Sequence, residues 1–148
     1  MSQRIWKGKK AVLCVVVLIL ALSAVASGVY FRALPLAQES DTIHRVELGG
    51  REVTEQVDER ALLELLALAE YRRTLFPQGG FYYKVTDDLV VISLHREQGT
   101  QIFLSPRSQT AYCGHISIDG TLHVWKNPIL EGEQLYRQVM DLLEAGTT

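Results

Sequence analysis

Cysteine is nearly absent from this chain: Cys14 and Cys113 are the only two in 148 residues. The first lies in a long apolar run and the second in the more polar remainder. One molecule therefore carries no disulfide framework and no cysteine-based zinc site, and Cys113 is expected as a small buried side chain. Also missing are a glycine-rich phosphate loop, HExxH, GxSxG, CxxC and the alternating acids of a calcium loop. These gaps point away from an enzyme, a cofactor and a metal. No basic stripe suited to nucleic acid is present, and no small-molecule ligand can be inferred.

Charge is missing from one stretch only. Residues 11–31 read AVLCVVVLILALSAVASGVYF, with no Asp, Glu, Lys, Arg or His. At about 1.5 Å per residue a helix of this length crosses the ~30 Å hydrocarbon core of a bilayer with its backbone polar groups satisfied internally. No polar face interrupts the run, as a helix packed in a water-soluble core would require. Trp6 and Tyr30 fall where amphipathic rings favour the two membrane interfaces. The segment before the run carries Arg4, Lys7, Lys9 and Lys10 and no acid, whereas the part beyond it has eleven basic residues against all seventeen acids. By the positive-inside rule the basic end stays in the cytoplasm and the carboxyl-terminal part is translocated. The expected organisation is a cytoplasmic basic segment (1–10), a transmembrane helix (11–31), a juxtamembrane linker (32–42) acting as a tether, and an extracytoplasmic domain (43–148). The alternative is a signal peptide cleaved after Ala26, since Ala24-Val25-Ala26 is a small-x-small pattern. The product would then be a secreted inhibitor or ligand-binding protein.

Within the domain, alternation over 43–48, then Gly49-Gly50, then 51–57 predicts a hairpin. Asp58 is placed to cap a helix reaching to about Arg73. Leu62, Leu65, Leu66 and Ala69 form its apolar stripe, widened by Leu63 and Leu68, and Arg72 and Arg73 complement the dipole in its last turn. After Pro77-Gln78-Gly79-Gly80, extended segments are expected at 81–86, 89–95, 100–105, 111–118 and 121–126. With Asp87-Asp88 as a two-residue turn, Phe81, Tyr83 and Val85 share the core face with Val90, Ile92 and Leu94. With Asp119-Gly120 as a second turn, Ile118 opposes Thr121, and His115 and His123 point to opposite sides of the sheet, which removes the one histidine pair close enough in sequence to suggest a metal. A last helix over 131–144 presents Leu135, Val139, Leu142 and Leu143 inward. The fold class is α+β: a transmembrane helix followed by a two-layer domain, an antiparallel sheet of four to six strands packed by two helices, in the order TM-β-β-α-β-β-β-β-β-α.

Few residues offer chemistry, and each has a plainer reading. Asp87-Asp88 suits turn geometry better than cation binding, and His95 with Ser93, or His44 beside nearby acids, reads as strand polarity without an oxyanion hole. Tyr82, Leu89 and Val91 are predicted on the face opposite the core and form the candidate interaction surface. The expected function is that of a single-pass, membrane-anchored, non-enzymatic binding or protein-interaction module. It would act at the outer face of the cytoplasmic membrane through its sheet face or an edge strand. Its partners are the lipid bilayer, through residues 11–31, and an envelope or membrane protein. An envelope-polymer hydrolase is the weaker alternative.

Overall fold

A computed structural model of the chain describes residues 2–77, 84–95, 99–116 and 122–146. Two compact units are present, Met1–Arg32 and Ala33–Thr148. The first is helix α1, Ser2–Tyr30. Its apolar stretch Val12–Tyr30 runs for 19 residues with none buried in the protein, long and apolar enough to cross a membrane or to serve as a signal sequence.

The second unit is α+β, as its patterning predicts. Among the described residues a six-stranded antiparallel sheet has the order β3-β2-β5-β6-β7-β8. Its strands are β2 (Thr42–Leu48), β3 (Arg51–Glu52), β5 (Val90–His95), β6 (Thr100–Ser105), β7 (Ser108–Ile116) and β8 (Leu122–Pro128). A separate two-stranded ribbon pairs β1 (Leu34–Pro35) with β4 (Glu70–Tyr71). Helices α2 (Glu59–Leu68) and α3 (Gly132–Ala145) contribute to the apolar layer on one face of the sheet. Register explains the layer. Val46, Ile92, Ile102 and Ala111 are successive cross-strand partners and all are buried. Leu62 and Leu66 of α2 and Leu135, Val139 and Leu143 of α3 join them in one core. The row continues to Asn127 on β8, so the last position of an otherwise apolar row is a buried amide.

Local chemistry accounts for the element ends. Gly49 and Gly50 have φ of 57° and 77°, the left-handed geometry of a two-residue hairpin, and join Leu48 to its partner Arg51. Asp58 caps α2 by accepting from the amides of Arg60 and Ala61 at 3.0 and 3.1 Å, which satisfies two of the four orphan donors of that helix start.

Several expectations need correction. Residues 32–42 are not a tether. Leu36 and Ala37 are buried in the core, the Leu36 amide donates to the Ala69 carbonyl at 2.9 Å, and the Ala37 amide donates to Leu66 at 3.2 Å. Those bonds satisfy carbonyls at the end of α2, which stops at Leu68 rather than near Arg73; Ala69 is already extended, with ψ 143°. Leu68 accordingly faces outward and does not widen the apolar stripe. The strand expected over 51–57 is cut to Arg51–Glu52 and followed by a 3-10 turn at Thr54–Gln56. The hairpin expected between 81–86 and 89–95 does not form, because β2 and β6 occupy both sides of β5. Residues 84–86 carry no strand, and 81–83 lie outside the described residues. Finally, the β7–β8 register pairs His115 with His123 and Ile116 with Leu122, one residue away from the predicted register.

Candidate functional site

On the sheet face away from the helices, alternate residues of each strand form rows across it. One row runs Glu47, Val91, Phe103, Thr110; the next runs Arg45, Ser93, Gln101, Tyr112, Lys126. Leu89, Val91 and Phe103 make a second, smaller apolar cluster with Tyr112 against it. The Phe103 and Tyr112 rings meet edge to face with centroids 4.7 Å apart, the arrangement favoured by aromatic quadrupoles. Leu89 and Val91 thus take the predicted face, but each is only 6% exposed. They are packing residues and form no exposed apolar patch. Tyr82, the third member of the predicted surface, lies outside the described residues.

The same face becomes polar toward the far ends of β2 and β5. Pairing shifts between Ile43 and Arg45, leaving His44 in the irregularity and its ring 6.3 Å from that of His95. The structure therefore brings two exposed histidines together. Ser93 turns to Gln101, whose Nε2 donates to the hydroxyl at 3.5 Å. Among the described residues no Ser93–His95 hydrogen bond forms, so the nucleophile arrangement is not assembled. His115 and His123 are direct Cα partners, contrary to the expectation of opposite sides. Among the described residues no group of three or more His, Cys, Asp or Glu is placed to hold a metal ion. Cys113 is half-buried beside the main core, where Asn127 Nδ2 approaches its sulfur at 3.5 Å.

Asp87 and Asp88 lie in a turn closed by the Leu89 amide donating to Thr86 at 3.0 Å. With Lys84, Thr86, Leu89, Ser105 and Arg107 they line an open depression of about 580 Å³. The Tyr136 hydroxyl donates to the Asp88 carbonyl at 3.1 Å. Burial, and secondarily the Asp88 charge, raise the Tyr136 phenol above its ordinary value.

The outer side of β8 is built differently. Arg72 donates its amide to the Pro128 carbonyl at 3.1 Å, and Leu130 donates to Glu70 at 2.8 Å, so the segment after β4 lies along the end of β8, the outermost strand among the described residues. Buried Asn127 fixes it: its Oδ1 accepts from the Thr74 amide at 2.9 Å and from the Thr74 hydroxyl at 3.4 Å. Beyond Thr74, Leu75 and Phe76 project outward, 56% and 78% exposed. Sequence reasoning missed this segment because Arg72 and Arg73 were assigned to a helix end. The signal was there, in two arginines and an apolar pair outside any periodic pattern. Because β strands alternate in direction, the outward Pro128 carbonyl implies that Val124 and Lys126 also aim their backbone groups away from β7. Among the described residues those groups have no backbone partner.

Comparison with family models, with curated proteins and with solved structures finds no match to this chain.

Proposed function

We propose that this protein is a single-pass membrane protein that holds its α+β unit at the outer face of the cytoplasmic membrane and works by binding rather than by catalysis. The observation that carries the reading is the Val12–Tyr30 helix, apolar for 19 residues and nowhere buried in the protein, with a compact unit starting at Ala33. An apolar surface of that extent requires a non-aqueous environment. The four basic residues that precede it orient the chain with its amino terminus in the cytoplasm.

The partner is an envelope or membrane protein, met at the β8 edge. Strand addition there uses the outward groups of Val124 and Lys126 for main-chain hydrogen bonds, with Lys126 and Pro128 limiting indiscriminate pairing. Support for this surface over the sheet face comes from the burial of Leu89 and Val91.

The test is expression of the full chain with a carboxyl-terminal tag, fractionation, and external protease on cells with a permeable outer layer. A membrane-bound tag removed by protease supports the reading. A tag that is protected unless the membrane is lysed contradicts the orientation. A tag in the soluble fraction favours the secreted alternative.

A further inference from the structure

The exposed apolar residues of the folded unit are not evenly spread. Leu68, at the end of α2, is 84% exposed, and Leu75 and Phe76 follow on the other side of β4. Single exposed leucines need no explanation, but here the backbone around them is held. Arg72 is bonded to Pro128, and Thr74 to the buried Asn127. The projection of Leu75 and Phe76 is therefore built into the fold. Arg72 and Arg73 are exposed beside them, and among the described residues neither forms an ion pair. Glu70 is the one acid of this stretch.

The chain's path supplies the occupant. β4 is paired with β1, Leu34 opposite Tyr71 and Pro35 opposite Glu70, and Leu34 follows Tyr30 by four residues. If α1 spans the bilayer, covalent geometry alone keeps β1 within about 14 Å of the point where the span ends. β4 lies about 4.8 Å further on. The segment that leaves β4 thus starts within about 19 Å of that point, whatever the disposition of the two units.

We propose that residues 72–76 are a membrane-docking element. Leu75 and Phe76, with Leu68, enter the interfacial zone of the outer leaflet, and Arg72 and Arg73 meet lipid phosphates. Leucine and phenylalanine beside basic residues are the composition that seats at the headgroup boundary, and arginine keeps its stem in the apolar zone while its guanidinium stays with phosphate. This rests on the anchored reading proposed above and adds to it that the domain is seated on the bilayer.

The experiment uses the full chain, with Cys14→Ser and Cys113→Ser, in phosphatidylcholine–phosphatidylglycerol vesicles. Nitroxide labels are placed one at a time through Phe76→Cys, Val85→Cys and Leu18→Cys, and collisions with oxygen are compared with collisions with a water-soluble nickel chelate. The expected result is a label at 76 that favours oxygen, as at 18, while 85 favours nickel. If 76 behaves like 85 while 18 reports lipid, the docking element is overturned and the anchor stands. If 18 also reports water, the anchored reading fails and docking with it. Shielding of 76 from both reagents would show a protein surface there and also overturns the proposal. Arg72→Gln or Arg73→Gln is expected to lower the ratio of seated to free loop about fivefold in anionic vesicles, as loss of one basic residue near an anionic surface implies, and to change little in pure phosphatidylcholine. Equal loss in both lipids would count against the phosphate contacts.

Discussion

The Thr74 amide donates to Asn127 Oδ1 at 2.9 Å across 53 residues of sequence. The two belong to parts of the chain with no local reason to meet, and the bond closes the outer end of β8. Asn127 is nearly solvent-free, and its Nδ2 donates to the Cys113 sulfur at 3.5 Å. Replacing it by alanine leaves the Thr74 donor without its acceptor and opens a small cavity at the end of the core row. Asn127→Ala is expected to cost about 1–3 kcal/mol. Hydrogen exchange should speed up at Thr74 while the amides of Ile92 and Ile102 change only with global stability. Unchanged exchange at Thr74 would contradict this role.

The residues between the apolar helix and the domain are structural. Leu36 has no exposed surface, and its backbone joins the end of α2. Leu36→Ala is expected to destabilise the domain by about 2–5 kcal/mol, as for other fully buried leucines, in urea unfolding followed by tryptophan emission. A flexible tether would give a change near zero.

That segment shows where the sequence is hard to read. Strands β5 and β6 are foreseen almost to the residue, because Val90-Val91-Ile92 and Ile102-Phe103-Leu104 are short apolar runs rich in β-branched and aromatic residues. The inner stripes of α2 and α3 are equally plain, since an amphipathic helix repeats its pattern over several turns. The Leu34–Pro35 strand is two residues long and has no period to detect; its partner, Glu70–Tyr71, is visible only once the two are in contact. The same lack of long-range information misplaces the partners of β5. Asp87-Asp88 is a turn, as its composition implies, but a turn does not reveal which strand comes next in the sheet, and β2 arrives from far earlier in the chain. A one-residue error in the β7–β8 register reverses the faces, which moves His115 and His123 from opposite sides to directly opposed positions. For the candidate surface, the face of Leu89 and Val91 was legible but their burial was not, because burial depends on what packs over a face.

Tyr136 gives a pH prediction. Burial first, and the charge of Asp88 second, raise its phenol above 10.0. A folded-state value above the unfolded one means that the neutral phenol's contribution is fully present below about pH 10 and is lost as pH rises through the folded value. Ultraviolet titration should show a late tyrosine phase, displaced above the ordinary phenol range. Tyr136→Phe should remove that late phase and flatten the alkaline fall in stability; a late phase that survives the substitution would assign it to another tyrosine.

Gly49 is held at φ 57° with a hypothetical β-carbon 3.1 Å from the Asp87 carbonyl. Gly49→Ala is expected to cost about 1–2 kcal/mol from the left-handed backbone alone. Thermal unfolding should show a drop, larger than for alanine at Gly99, where among the described residues nothing lies within 4 Å of an added β-carbon. Equal effects at the two glycines would contradict the strained turn.

The central claim is that the Val12–Tyr30 helix stays on the protein as its membrane anchor. Its most direct test is the intact mass of the untagged chain recovered from the membrane fraction of expressing cells. Retention predicts a species that still contains residues 11–31, near the 16.6 kDa of this chain. A species beginning at Ser27 and free of the membrane would show that the helix is removed, and would contradict the account.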